Sequence, residues 1–290
     1  NRIENLTKAV GLLICLVFMF FQESYEQLQF SIFGVILLSI GIPHGAIDHL
    51  ISNPSITKKG IGSFLLIYLS LIAGYLLIWY YLPLIALLAF LIMSAYHFGQ
   101  SHFISENIGK NTWMLFMSRG GYFLSAILLG DWETTKLILS PLVTLEYLDQ
   151  SRIIVLVVIL FSTLLAQGIF GPKFRKIHFL EIVILAPILY FSPLLIAFVV
   201  YFGFWHALPS MIAEYRFLRG FNAYNSIRKF GLQLLPFSII SILGIALILF
   251  LGLKFLESNE LILLFFVLIS LISFPHILYM DSFLKKQVQN

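Results

Sequence analysis

Gly41-Ile-Pro-His-Gly-Ala-Ile-Asp-His49 closes a long apolar run, and it is too polar to sit there for packing alone. Three stretches answer it: Tyr96-His-Phe-Gly-Gln-Ser-His102, Phe204-Trp-His-Ala-Leu-Pro-Ser210 and Phe274-Pro-His-Ile-Leu-Tyr-Met-Asp281. Of the 7 histidines, all but His178 lie in these patches, each in or at the end of a hydrophobic segment.

The surrounding chain explains why that is unusual. It has 290 residues, 60% hydrophobic and 11% charged, where a soluble domain carries about a quarter charged. The shortfall runs the whole length, so the sequence reads as an all-α, polytopic membrane bundle forming one integral membrane domain over residues 1–290. Apolar runs of helical length exclude a β-barrel. The 1 cysteine, Cys15, excludes an internal disulfide. The run after Lys8 lacks a small-residue cleavage site and reads as a first span, not a signal peptide.

About ten spans fit, with eight or nine as variants. They cover 8–22, 29–50, 61–82, 83–103, 113–130, 151–171, 177–191, 193–218, 231–253 and 260–284. The seventh is short, and Pro187 and Pro193 are the places where 177–218 would break. Segment 131–149 mixes acids with apolar residues and is expected to lie along the interface. Trp79, Tyr80, Tyr81, Trp113 and Trp132 fall at span ends, as an aromatic belt requires.

Charge orients the chain. Of the 18 Lys and Arg, the N-terminal side carries Arg2, Lys8, Lys58, Lys59, Lys110, Lys173, Arg175, Lys176, Arg216, Arg219, Arg228, Lys229, Lys285 and Lys286. The other side has only Lys136, Arg152 and Lys254, and Arg119 falls inside a span. The bias places both termini in the cytoplasm of a cell of which this is the cytoplasmic membrane. It also accounts for the net charge of +4 without any nucleic-acid partner.

In this topology the four histidine-bearing spans run the same way, so the six histidines share one depth, toward the cytoplasmic leaflet. A lone membrane histidine is commonly an interhelical hydrogen-bonder. Six at one depth point instead to a metal site. Residues five apart on an α-helix are about 140° apart around its axis, so His44 and His49 face one point only if the helix breaks at Pro43 or Gly45. One ligand per helix gives His44, His97, His206 and His276. His49 and His102 are then supporting or alternative ligands. Asp48, four residues after His44, and Asp281 are candidate acceptors for a ligand N–H. His178 is expected in the headgroup region.

Neutral imidazole suits iron, zinc, copper and nickel. Ferrous iron with open positions suits O₂, and O₂ in a bilayer suits an apolar substrate. Phe98, Phe103, Phe202, Phe204, Trp205, Phe274 and Tyr279 flank the ligands, and Tyr96, Phe98, Phe204, Trp205, Phe274 and Tyr279 are expected to line a lipid-open tunnel. Gly34, Gly41, Gly45, Gly99 and Gly203 are expected to allow close helix approach or to open a tunnel.

The stretches Pro43-His-Gly-Ala-Ile-Asp-His49, Tyr96-His-Phe-Gly-Gln100 and Phe204-Trp-His206 resemble the motifs of the Brp/Blh family of prokaryotic β-carotene dioxygenases. The resemblance implies an integral membrane enzyme with one Fe(II) per chain. Such an enzyme cleaves the central double bond of β-carotene with O₂ to give two all-trans retinal molecules, by a dioxetane or an epoxide route, and typically feeds a microbial rhodopsin. It maps iron-binding histidines onto His44, His97 and His206. A further family histidine falls at Ser210, so either His276 or His49 completes the set, or the iron has three protein ligands, or this member has altered activity. Two other readings stay open. A di-iron hydroxylase or desaturase needs two metals and an electron donor. A non-enzymatic carotenoid- or retinal-binding protein, or a transporter with ligands at the midplane, needs no catalysis.

Overall fold

In a computed structural model the described residues are 2–20, 26–104, 106, 112–172 and 176–289, and among them the regular structure is all helical. Eight helices are long and apolar enough to cross a membrane: Arg2–Phe20, Glu26–Ser52, Lys59–Tyr81, Pro83–Ser101, Arg152–Phe170, Leu194–Leu218, Ile227–Gly252 and Ser258–Lys286. On Lys59–Tyr81 the apolar residues Leu66, Leu69 and Leu77 are exposed. An outward apolar face is what lipid requires, and the chain is a multi-pass membrane protein. The fifth and seventh expected spans are also helical. Thr112–Gly130 carries Arg119 at its centre, and Ile177–Tyr190 is short. The break falls at Pro193, not Pro187, which stays inside a helix.

The chain divides into two compact units, Asn1–Gly41 with Ser94–Pro209, and Ile42–Met93 with Ser210–Asn290. In the first, α1 (Arg2–Phe20) and α2 (Glu26–Ile36) pack on α12 (Leu194–Val200). The end of α6 (Pro83–Ser101) lies backbone to backbone on α7 (Thr112–Gly130). A Cβ on Gly99 would stand 1.9 Å from the Phe116 carbonyl oxygen, and one on Gly120 1.8 Å from that of Ala95. Only glycine permits this approach. α7 also packs on α9 (Arg152–Phe170) and α11 (Ala186–Tyr190).

In the second unit α15 (Ser258–Gln289) packs on α5 (Lys58–Tyr81) and on the short α4 (Asp48–Ser52), while α14 (Ile227–Gly252) packs on α3 (Ile42–Gly45). Thr57 caps α5 by accepting from the Gly60 amide, and Ser226 caps α14 by accepting from Lys229. The Trp79 indole donates to Ser270 on α15 at 2.9 Å. Trp79 and Trp132 are buried, so the aromatic belt is carried at most by the exposed Tyr80, Tyr81 and Trp113. Segment 131–149 starts with α8 (Trp132–Leu139), capped by Asp131.

Three π-helical turns interrupt the helices: Leu37–Gly41 before His44, Glu181–Leu185, and Tyr201–Ala207, which contains His206. A π turn inserts one residue and commonly marks a functional site.

Candidate metal centre

The helix is interrupted between His44 and His49. α3 ends at Gly45, and α4 begins at Asp48. This separates His44 from His49, and the two take different surroundings. The His49 ring packs against Phe237 and Phe64, with centroids 4.8 and 6.1 Å away.

His44 instead meets His276, which follows Pro275 in α15. Their rings are edge to face, 4.5 Å apart at 81°, and their Nε2 atoms stand 3.0 Å apart. Each ring turns its other nitrogen to a buried acid. Nδ1 of His276 is 2.8 Å from Oδ1 of Asp48, and Nδ1 of His44 is 3.2 Å from Oε1 of Glu214. An ionised carboxylate only accepts, so Nδ1 of His276 is the donor to Asp48 and its Nε2 presents a lone pair. At 3.0 Å from Nε2 of His44, that lone pair takes either an N–H from His44 or a cation shared with it. Two imidazole nitrogens about 2.1 Å from one metal, at right angles, stand about 3.0 Å apart. The pair therefore fits two adjacent ligands of a metal, each backed by a carboxylate.

The expectation for Asp48 is corrected in one respect. Its spacing from His44 pointed to His44, but the break after Gly45 removes the helical i, i+4 relation, and the carboxylate serves His276. The other oxygen of Asp48 accepts from the Tyr68 hydroxyl at 3.0 Å. Asp281 pairs with Lys285 one turn on.

The other unit repeats the design. The rings of His97 and His206 are 4.5 Å apart at 73°. Nδ1 of His97 faces Oε1 of Gln100 at 3.3 Å, and Nδ1 of His206 bonds to Oγ of Ser101. The Ser101 hydroxyl also reaches the His97 carbonyl oxygen; when it donates there it accepts from His206 and fixes that ring's tautomer. Relative exposures of His44, His97, His206 and His276 are 1, 4, 1 and 5%.

His102 is engaged at both nitrogens, by Glu181 at 3.0 Å and by the Tyr201 hydroxyl at 3.0 Å. His178 is buried; it packs on the Phe103 ring and lies 3.7 Å from Glu106.

Of the aromatics expected along a tunnel, Phe98 touches a histidine of these pairs, 4.7 Å from the His206 ring. Tyr96 is edge-on to Phe116 and Phe274 stacks on Tyr75. Tyr279 packs on Phe64 and Tyr68. Phe204 abuts Gly11, and the Trp205 indole donates to Glu181. Phe202 stacks on His206 at 5.5 Å and 26°, and on Phe198 at 5.6 Å and 8°. Sequence neighbours of a ligand point about 100° away from it, while a residue four back shares its face. Ser210, also four from His206, is fully buried.

Sequence reasoning missed Glu214, Tyr68 and Ser101. The signal for Glu214 was an acid at the end of an apolar span, beside Arg216, where a solvated headgroup position is the ordinary reading.

Apolar spans carrying two buried imidazole pairs, backed by acids, an amide and a hydroxyl, define a multi-pass membrane protein whose histidines could hold a metal ion. The family model for β-carotene 15,15′-dioxygenase matches residues 35–284. The β-carotene 15,15′-dioxygenase of the uncultured marine bacterium 66A03 is 28% identical over 253 residues, covering 85% of this chain and 90% of that protein. No solved structure matches. The chain belongs to the β-carotene 15,15′-dioxygenase family, and so is a carotenoid-cleaving oxidoreductase.

Proposed function

We propose that this chain cleaves the 15,15′ double bond of β-carotene with O₂, giving two molecules of all-trans retinal, at one ferrous ion held by His44, His97, His206 and His276. The observation that carries the metal reading is the 3.0 Å approach of two Nε2 atoms whose Nδ1 atoms both face buried carboxylates. The reaction rests on the family. His276 takes the place that the family resemblance gives to a histidine at position 210.

Iron, when bound, supplies the activation of O₂. The chain's own residues do the rest. Four Nε2 atoms ligate, and Asp48, Glu214, Gln100 and Ser101 hold the rings in one tautomer and orientation. Asp48 and Glu214 offset the charge of a divalent ion, which apolar surroundings would otherwise make costly. Phe98 and Phe202 against His206 keep water from that imidazole and offer flat faces to a polyene. Substrate enters from the lipid, and the polyene's midpoint is set beside the metal.

The basic bias puts both termini in the cytoplasm and the metal toward the cytoplasmic leaflet. Retinal released there would serve a microbial rhodopsin. A di-iron reading would draw His49 and His102 into ligation. Their aromatic and Glu181 environments favour the single-metal reading.

The test is retinal and β-carotene content in a β-carotene-producing bacterial host expressing the chain, beside His97→Ala. The wild type is expected to convert carotene to retinal and the variant not. Persisting carotene with folded wild-type protein in the membrane would overturn the reading.

A further inference from the structure

Glu181 lies outside both histidine pairs, yet its carboxylate is among the most heavily bonded in the chain. Oε1 accepts from Lys8 Nζ at 3.1 Å and from the Trp205 indole N–H at 3.1 Å. Oε2 accepts from Arg119 Nη2 at 2.7 Å and stands 3.0 Å from His102 Nδ1. His102 then meets the Tyr201 hydroxyl through Nε2 at 3.0 Å. Arg119 is fully buried, and its second arm donates to the His178 carbonyl oxygen at 3.0 Å. The cost of burying such charges is offset only where the pairing geometry is good and further hydrogen bonds satisfy the remaining atoms, as the four partners of Glu181 do.

The two ends of this network flank one hydrogen-bonded pair, Ser101 and His206: His102 follows the first and Trp205 precedes the second. Tyr201 and Trp205 both belong to the π turn Tyr201–Ala207. Reverting a π turn to α geometry removes one residue from the turn and rotates the rest of the helix by about 100°. That rotation would swing His206 off its partner. Glu181 itself opens the π turn Glu181–Leu185, so the network ties two uncommon turns together.

We propose that Glu181 is a positioning residue for the metal centre. It holds His206 in place through Trp205 and through His102–Tyr201, without touching the metal or the substrate. This rests on the metal reading above.

The full-length chain, purified in detergent and stripped of metal, is titrated with Co(II) while its visible d–d absorption is followed. Wild type is expected to give a nitrogen-ligated spectrum. Glu181→Gln is expected to bind Co(II) about 10- to 100-fold more weakly, with a changed band shape. Trp205→Phe, which removes one donor and no charge, should shift affinity in the same direction by less. If both variants keep the wild-type spectrum and affinity, even with a lowered melting temperature, the network is only structural and the proposal falls. If Glu181→Gln does not fold, Trp205→Phe decides by the same measure. Retinal output of the wild type separates this failure from failure of the functional reading. Retinal formed beside unaltered Co(II) binding sinks only the positioning role. A wild type that binds no Co(II) and forms no retinal sinks both.

Discussion

Nδ1 of His276 and Oδ1 of Asp48 stand 2.8 Å apart, and the Tyr68 hydroxyl holds the other oxygen of that carboxylate from α5. The acid is thereby fixed at both oxygens, and the ring it orients has one defined donor nitrogen. Asp48→Asn keeps the shape but offers an amide that donates as readily as it accepts. Iron per chain after purification at limiting Fe(II) is expected to reflect an affinity about 10- to 100-fold lower. Tyr68→Phe leaves the acid in place and is expected to cost less. Unchanged iron retention in Asp48→Asn would show that the tautomer is not set here.

The approach of α6 to α7 gives a stability prediction with an internal control. Gly99→Ala drives a Cβ into the Phe116 carbonyl oxygen, a backbone atom with little freedom to retreat. Overpacking of this kind costs about 1–3 kcal/mol or more, and the cost falls within two residues of His97. Gly34 has nothing within 4 Å of its Cβ position, so Gly34→Ala should be neutral or slightly stabilising. Thermal melts in detergent are expected to separate the two substitutions clearly. Equal melting temperatures would mean that the helices do not meet at Gly99.

The features legible in the sequence were those that composition and period dictate. Apolar runs of span length, and histidines at the same end of four of them, need no tertiary knowledge. The proposed ligand set follows from helical angle on the premise of an unbroken helix from His44 to His49, whereas α3 ends at Gly45. Partners across the fold were not legible. Glu214 is fully buried near His44 although 170 residues of chain separate positions 44 and 214. Its neighbours in sequence, Tyr215 and Arg216, suggested a solvated end. Asp48 was identified but assigned to the wrong imidazole, since the spacing rule presumes a helix that Gly45 ends. The π turns were invisible, because no residue pattern distinguishes them from α-helix.

Phe202 offers a test of how substrate is placed. Its ring is nearly parallel to the His206 imidazole and to Phe198, and it keeps partial exposure while Phe204 and Trp205 are buried. A flat face beside a ligand is a surface against which a conjugated chain can rest. Phe202→Ala is expected to reduce retinal formation about 10-fold or more by loosening the alignment of the reacting bond. It should also yield apocarotenals longer than retinal. Chromatography of the products decides: the same single product at an undiminished rate would remove Phe202 from the substrate path.

The proposed fourth ligand, His276, separates this chain from the pattern its motifs resemble. Ser210 is buried four residues after His206, where the resemblance puts a histidine, and a hydroxyl is a poor partner for iron beside imidazoles. His276 comes from α15 with its own acid, so it has the support that ligating histidines ordinarily carry. His276→Ala is therefore expected to lose most bound iron and nearly all retinal formation. Ser210→Ala should change iron content by less than about two-fold, since it removes no imidazole. Metal analysis of the purified chains, with helical content as the control for folding, checks both. If His276→Ala keeps its iron while Ser210→Ala loses it, the ligand set is the resemblance's and not the one proposed for this chain.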